Sequence, residues 1–255
     1  MKKVSVIGGG GNVGASAGLY LAERGICEVR VVDIAEGIPQ GKGLDLLEAG
    51  PVRGYDAMVS GTNKFADIAG SDVVLVTAGF PRKPGMSRTD LLLKNAEIVG
   101  SIGKEIRTHA PDAFVVVVSN PLDIMTYHMM KSTGFAPERV VGMAGVLDSA
   151  RFRAFIAMEL GVAATDVHAM VLGGHGDSMV PLPQYATVSG VTIKDLLAPD
   201  VIDRLVERTR KGGGEIVALL KTGSAFYAPG ASAAQMVESI LLDTKRFLPA
   251  AAWCN

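Results

Sequence analysis

The stretch Val4-Ser5-Val6-Ile7-Gly8-Gly9-Gly10-Gly11-Asn12-Val13-Gly14 predicts a β-strand, a tight glycine-rich turn and the start of a helix. This order is typical of a dinucleotide fingerprint, in which glycines let the main chain approach a pyrophosphate and the helix N-terminus stabilises its charge. The glycines fit GxGxxG at Gly9, Gly11 and Gly14, and they fit GxxGxxG starting at Gly8. The residues leave the register open, but both registers predict a nucleotide cofactor.

Asp33 identifies which nucleotide to expect. It ends the second predicted strand, where an acidic side chain binds the ribose hydroxyl groups of a dinucleotide. A carboxylate at this point repels the additional phosphate of NADP, and we therefore expect NAD. The alternative is a glycine-rich turn followed by a surface aspartate, which the strand–turn–helix order disfavours.

The first half of the chain alternates short β-type runs with helical patterns, which is typical of a parallel sheet with helices on both faces. The predicted strands span residues 4–8, 29–33, 57–61, 73–77, 114–119 and 140–142. The four consecutive valines at 115–118 predict a strand that is buried on both sides. Right-handed crossovers between six such strands predict an α/β fold with a doubly wound parallel sheet.

The pattern changes near residue 144. A predicted helix at 148–161 leads to an apolar run at 167–172 that reads as a strand, and helices are expected near 200–221 and 224–243. We interpret residues 1–143 as a dinucleotide-binding domain and residues 144–255 as a second, mixed α+β substrate domain.

Bulk properties narrow the class of protein. The chain has 255 residues, 48% of them hydrophobic, and a formal net charge of −1, which gives no reason to expect a nucleic acid or an anionic membrane as partner. No apolar run reaches the roughly 20 residues needed to span a bilayer. Two cysteines without a CxxC motif indicate a reduced, cytoplasmic protein, and no metal site is predicted because His175 and Asp177 lack further ligands.

A single histidine stands out in Gly173-Gly174-His175-Gly176-Asp177, because glycines on both sides leave its imidazole accessible. Upstream, Asp148 and Arg151 are three residues apart on a predicted helix and therefore share one face. That pair offers a carboxylate to orient the histidine and a guanidinium to bind an anionic substrate. We therefore expect proton-transfer chemistry at His175.

Two further segments follow predicted strands and therefore lie at the edge where open α/β sheets bind ligands. Residues 79–88 form a Pro- and Gly-rich loop that carries Arg82, Lys83 and Arg88, and Ser119-Asn120-Pro121 reads as a turn. A solvated basic loop and an ordinary Asx turn are the alternatives.

Together these pieces resemble the lactate/malate dehydrogenase family, and most of all its lactate-dehydrogenase-like malate dehydrogenase branch. The matching motifs occur in family order over nearly the whole chain. They are the glycine turn, Asp33, Pro81-Arg82-Lys83-Pro84-Gly85-Met86-Ser87-Arg88, Ser119-Asn120-Pro121, Leu147-Asp148-Ser149-Ala150-Arg151 and Gly173-Gly174-His175-Gly176-Asp177.

The resemblance implies a role for each residue. His175 would exchange the substrate's hydroxyl proton while a hydride passes to NAD, and Asp148 would orient it and stabilise its protonated form. Arg151 would bind the carboxylate beside the reacting carbon, and Arg88 would polarise the carbonyl. Asn120 would hydrogen-bond the substrate. The implied cofactor contacts are Gly8, Gly9, Gly10, Gly11, Asn12, Val13, Gly14, Asp33, Asn95, Val118, Ser119 and Asn120.

Arg82 predicts the substrate. In this family an arginine at its position accompanies dicarboxylates, whereas many lactate enzymes carry glutamine there. Pyruvate would leave a buried cation without a partner, so malate and oxaloacetate are favoured. A lactate or other 2-hydroxyacid dehydrogenase is the first alternative, and a non-catalytic NAD-binding subunit is the second.

Two expectations concern the whole assembly. The resemblance implies a homo-oligomer, either a dimer or a tetramer. The family usually continues beyond the position of Asn255 with further strands and a helix, so we expect the second domain to be C-terminally incomplete.

Overall fold

The computed structural model describes residues 1–80 and 87–254. Its first half contains a six-stranded, all-parallel sheet in the order β3-β2-β1-β4-β5-β6. The order in which strands are added to the sheet reverses between β1 and β4. The predicted doubly wound sheet is thus confirmed. The elements are β1 (Lys2–Ile7), α1 (Asn12–Arg24), β2 (Cys27–Val32), α2 (Ile38–Arg53), β3 (Val59–Thr62), β4 (Val73–Val76), α3 (Arg88–His109), β5 (Phe114–Val117), α4 (Leu122–Thr133) and β6 (Val140–Gly142).

Alternating side chains of the central strands pack into two hydrophobic cores, one on each face of the sheet. Val73 and Leu75 belong to the core under α1, whereas Val74 and Val76 belong to the core under α3 and α4. Such a strand has no solvated face, and this explains why its sequence is uninterruptedly apolar.

The second half is mixed, as expected, with small antiparallel sheets and four α-helices among the described residues. Its strands pair as β11-β10-β7 and β8-β9. The elements are α5 (Gly145–Leu160), β7 (Val167–His168), β8 (Val171–Gly173), β9 (Met179–Pro181), β10 (Thr187–Val188), β11 (Val191–Thr192), α6 (Ile193–Leu196), α7 (Pro199–Leu220) and α8 (Tyr227–Leu241).

The single strand expected at 167–172 is wrong. The run forms β7 and β8, which pair with different strands, β10 and β9, and belong to different sheets. A continuous apolar run indicates burial but carries no signal for a change of pairing partner. His175 therefore follows a three-residue strand that pairs in a hairpin with β9.

Helix α8 lies in the second half of the sequence but packs against α1 and the first sheet. A Cβ atom added to Gly230 would lie 2.8 Å from the Cβ of Ser16, so the two helices approach closely. Ala233 and Val237 are buried in the same core as the strand β1 residues Val4 and Val6. The division at residues 143 and 144 stays a prediction, and the two halves of the chain share this core.

The segment after α8 returns to the first sheet, where Ala251 pairs with Gly142 of β6 in the antiparallel sense. Both main-chain hydrogen bonds form, at 2.7 and 2.9 Å. Among the described residues, none of the helices is long and apolar enough to cross a membrane.

Candidate functional site

The glycine turn lies at the carboxyl end of β1, next to the point where the strand order reverses. Gly8 has a φ of +82°, and a Cβ atom there would lie 2.4 Å from the main-chain nitrogen of Ala78. A Cβ atom on Gly14 would lie 2.7 Å from the carbonyl oxygen of Gly8. The turn therefore has no room for side chains at its two ends.

The first turn of α1 is open to an anion. Gly11 is the N-cap residue and has no side chain that could accept hydrogen bonds from the first N–H groups of the helix. No acidic residue lies in the first turn. The partial positive charge of the helix N-terminus is therefore available to a pyrophosphate, and the turn fits a dinucleotide.

Asp33 directly follows β2, and its carboxylate lies beside the glycine turn. Oδ2 accepts the N–H of Gly10 at 3.0 Å, and Oδ1 accepts the N–H of Ala35 at 3.1 Å. Two main-chain donors thus fix the carboxylate in place. Its position at the end of a central strand fits the ribose contact expected for NAD.

Asp148 lies in the first turn of α5 and is almost fully buried, with 1% of its surface exposed. Its Oδ2 lies 2.8 Å from Nδ1 of His175, and its Oδ1 accepts from Nη1 of Arg151 at 3.1 Å. One carboxylate therefore bridges the two side chains that the sequence analysis assigned to proton transfer and substrate binding. With Nδ1–H donating to Asp148, the neutral imidazole has Nε2 available as a proton acceptor.

Arg151 retains unused hydrogen-bonding capacity. Its Nε is buried and has no hydrogen-bond partner within the part of the chain that the structure describes. Gly212 of α7 provides space for this side chain, because a Cβ atom there would lie 3.2 Å from Cδ of Arg151. A glycine inside a helix costs about 1 kcal/mol relative to alanine. A buried guanidinium with a free donor beside a histidine fits a carboxylate ligand.

The residues at the carboxyl ends of β4 and β5 also come together. Asn95 is buried in α3, where its Oδ1 accepts the N–H of Phe80 at 2.6 Å and its Nδ2 donates to the carbonyl of Asn120 at 2.7 Å. The hydroxyl of Ser119 donates to the carbonyl of Ala78, and the N–H of Val118 donates to Val76. Asn95 thus connects Phe80, at the start of the loop at residues 79–88, to Asn120. A contact between Asn95 and the cofactor stays a prediction.

The side chains of two predicted substrate residues are not described by the structure. Arg82 falls between residues 80 and 87, and Arg88 begins α3 but its side chain is not described. The N-terminus of α3 is well defined by a capping box, in which Ser87 and Asp90 exchange hydrogen bonds. The roles of both arginines therefore stay predictions.

Sequence reasoning missed two residues that contact this site. The hydroxyl of Ser149 accepts the N–H of Val171 at 2.9 Å and thereby ties α5 to the strand that leads to His175. The carboxylate of Asp123 accepts the N–H of His175 itself at 3.1 Å. Serine and aspartate are common near helix N-termini, so residue type alone does not mark either position. The only sequence signal is proximity, since Ser149 adjoins Asp148.

Comparison with known proteins agrees with this geometry. Residues 2–142 match the family model described as lactate/malate dehydrogenase, NAD binding domain, and residues 145–254 match lactate/malate dehydrogenase, alpha/beta C-terminal domain. The malate dehydrogenase of Thermomicrobium roseum is 59% identical over 252 residues, a match that covers 99% of this chain and 81% of that protein. The malate dehydrogenase of Heliobacterium modesticaldum is 56% identical, with 100% and 82% covered.

Solved structures give the same result. The apo malate dehydrogenase of Picrophilus torridus matches with a TM-score of 0.97 and 53% identity, covering 100% of this chain and 80% of that one. The lactate dehydrogenase of Cryptosporidium parvum, in complex with lactic acid and NAD, matches with a TM-score of 0.94 and 43% identity, covering 100% and 81%. The chain belongs to the lactate/malate dehydrogenase family.

Proposed function

We propose that the chain catalyses the reversible, NAD-dependent oxidation of malate to oxaloacetate. The observation that carries the proposal is the buried carboxylate of Asp148, which holds His175 and Arg151 at 2.8 and 3.1 Å. These contacts support proton transfer at His175 beside carboxylate binding at Arg151, in a fold with a dinucleotide turn. The relatives from Thermomicrobium roseum and Heliobacterium modesticaldum are both named malate dehydrogenase.

In this proposal the turn from Gly8 to Gly14 holds the pyrophosphate of NAD, and Asp33 holds a ribose. When bound, NAD supplies the acceptor for the hydride that leaves the carbon bearing the hydroxyl group. We propose further cofactor contacts with residues 118–120, which follow β5, and with Asn95 of α3.

His175 is the proposed catalytic base. Its Nε2 removes the hydroxyl proton of malate as the carbonyl forms, and it returns that proton in the reverse reaction. The imidazolium produced in this step lies beside the buried negative charge of Asp148, which stabilises it. Since Nδ1 is hydrogen-bonded to Asp148, Nε2 is the ring nitrogen that takes up the proton of the substrate, and it faces away from the carboxylate of Asp148.

Substrate binding is assigned to four side chains. Arg151 binds the carboxylate beside the reacting carbon, and Asn120 hydrogen-bonds the substrate. Arg88 stabilises the charge that develops on the carbonyl oxygen, and Arg82 binds the second carboxylate of malate. Discrimination against pyruvate follows, because a monocarboxylate would leave Arg82 without its counter-charge.

The direct test compares NADH oxidation by oxaloacetate and by pyruvate. The unchanged chain should prefer oxaloacetate, and Arg82→Gln should lower kcat/KM for oxaloacetate by about thirtyfold or more, since a lost charged pair at a dry site costs about 2–5 kcal/mol and each 1.4 kcal/mol is about tenfold. Lys83→Gln, which removes a neighbouring charge from the same loop, serves as the matched control and should change the ratio little.

Other outcomes would select the alternatives. A preference for pyruvate would make the chain a lactate-type 2-hydroxyacid dehydrogenase, the activity that its Cryptosporidium parvum relative is named for. Binding of NADH without turnover of either acid would favour a non-catalytic NAD-binding subunit. An unchanged substrate ratio in Arg82→Gln would contradict the role of Arg82 alone.

We further propose a cytoplasmic homo-oligomer, a dimer or a tetramer. The two cysteines are both unpaired, Cys27 buried and Cys254 exposed, as expected in a reducing compartment. Helix α2 exposes Leu44, Leu47 and Val52, and these apolar side chains support a subunit interface on this helix. Light scattering during size-exclusion chromatography measures the mass, and a monomer at micromolar concentration would contradict this proposal.

A further inference from the structure

The main chain of His175 is held by a second carboxylate, on a helix that does not carry the proton relay. Asp123 is the second residue of α4, and its Oδ2 accepts the N–H of His175 at 3.1 Å. Asp148 of α5 holds the ring of the same histidine at Nδ1. Two carboxylates from two helices therefore hold one residue, one through its ring and the other through its main chain.

The loop around His175 needs such an anchor because glycines surround it. Gly173 has a φ of +79° and Gly176 a φ of +141°, conformations that glycine adopts freely. A hydrogen bond at Nδ1 alone fixes the distance from the ring to Asp148 but leaves the ring free to turn with the main chain. The direction of Nε2, the proposed proton acceptor, depends on a second fixed point.

The packing beside His175 brings the main chain up to Asp123. A Cβ atom on Gly174 would lie 3.2 Å from Oδ2 of Asp123 and 2.5 Å from Oγ of Ser178. A side chain at this position would crowd both the carboxylate of Asp123 and the hydroxyl of Ser178. Glycine at position 174 thus leaves space for the carboxylate of Asp123 beside the N–H of the next residue.

The same helix start also connects to the substrate side of the site. Asn120 lies three residues before Asp123, and its carbonyl accepts a hydrogen bond from the buried Asn95. A carboxylate in the first turn of a helix is stabilised by the partial positive charge of the helix N-terminus. Asp123 therefore joins the main chain at His175 to a segment whose own position is fixed.

We propose that Asp123 is a positioning residue, which directs Nε2 of His175 by holding the main chain of that residue. The proposal rests on the proposed function, because the proton relay through His175 is part of it. Asp123 touches neither of the reacting groups and acts through the histidine.

The test uses three variants of the full chain. Asp123→Ala removes the acceptor, Asp123→Asn keeps an acceptor oxygen without the charge, and Asp200→Ala is the matched control. Asp200 is likewise an exposed aspartate at the second position of a helix, α7. The control therefore reproduces the loss of a helix N-terminal charge without touching the loop of His175.

Three measurements are made on each variant: kcat with saturating oxaloacetate, the Kd of NADH, and amide hydrogen exchange of residues 173–178. Asp123→Ala should lower kcat by about tenfold to a hundredfold, the size of effect that misplacing a catalytic group produces, with the Kd of NADH unchanged. Exchange of the His175 amide should accelerate. Asp123→Asn should recover most of kcat, and Asp200→Ala should resemble the unchanged chain.

Two results would overturn the proposal. Unchanged exchange in Asp123→Ala would show that the carboxylate does not hold the loop, and faster exchange with unchanged kcat would show that holding the loop does not serve proton transfer. If the unchanged chain oxidises NADH with neither oxaloacetate nor pyruvate, the proposed function fails, and the role of Asp123 in proton transfer fails with it. The exchange rates then still establish whether the hydrogen bond to His175 forms.

Discussion

Replacing Asp148 with asparagine removes one charge from the centre of the site while preserving the shape of the side chain. Asp148 is 1% exposed, and its two carboxylate oxygens contact His175 and Arg151 separately. The substitution should therefore act on the charged form of His175, which arises as the hydroxyl proton is removed, more than on the fold.

The magnitude follows from the contact distance. With Nδ1 and Oδ2 2.8 Å apart, the centres of the two charges are about 4 Å apart, and such a pair is worth about 4 kcal/mol at an effective dielectric constant of about 20. An asparagine oxygen still accepts a neutral hydrogen bond, which returns about 1 kcal/mol. The net loss of about 3 kcal/mol corresponds to a fall in kcat of about a hundredfold, since each 1.4 kcal/mol is about tenfold.

The assay follows the formation of NADH from saturating malate and NAD, alongside a fluorescence titration of NADH. Asp148→Asn should bind NADH normally, because Asp148 is not among the residues of the glycine turn. Asp166→Asn, at an exposed aspartate, is the control. A kcat close to that of the control, with NADH binding intact, would refute the electrostatic role of Asp148.

Three further substitutions or measurements address other parts of the molecule. In Gly10→Ala the new Cβ atom would lie 2.8 Å from Oδ2 of Asp33 and force that carboxylate to move. The Kd of NADH should therefore rise about tenfold. An unchanged Kd would mean that the cofactor binds away from Asp33. Ser149→Ala leaves a buried main-chain N–H without an acceptor and should destabilise the fold by about 1–3 kcal/mol, measured by urea denaturation. A loss no larger than that of a surface substitution, about 0.5 kcal/mol, would mean that another acceptor replaces the hydroxyl. Burial raises the pKa of Cys27 to about 11, and the nearby carboxylates add to the shift. A thiol reagent at pH 8 should therefore label only Cys254 until the chain is unfolded. Rapid labelling of both thiols in the native protein would contradict the burial of Cys27.

The sequence predicts most of the first half of the fold because its signals are local. The apolar run Val73–Val76 and the valines at 115–117 each form a strand buried on both faces, and the glycine turn joins β1 to α1 as its order along the chain indicates. The run at 167–172 was predicted less well. Hydrophobicity records that these residues are buried, whereas the partners of β7 and β8 are set by segments that follow them in the chain.

The candidate site likewise combines features that local sequence predicts with contacts that only the fold determines. Asp148 and Arg151 share a helix face through their spacing, and the structure brings His175 to them across 27 positions of sequence. The contact of Asp123 with the main chain of His175 spans 52 positions and involves no feature of the histidine side chain. Residue types and spacing carry no information on a main-chain acceptor of this kind, which depends on how α4 and the loop are placed in three dimensions.

The packing of α8 against α1 determines how this protein can be divided or recombined. A fragment ending near residue 143 would lack Ala233 and Val237, and the face of the central sheet that contains Val4, Val6 and Leu75 would lose part of its cover while keeping α1. The close approach of Gly230 to Ser16 also means that the two helices must match each other in shape. A chimera that joins the nucleotide-binding half of one relative to the substrate half of another should therefore exchange α1 and α8 as a pair. The boundary for such an exchange must leave the interface between α1 and α8 intact, whereas a cut in the chain at residue 143 separates the two helices.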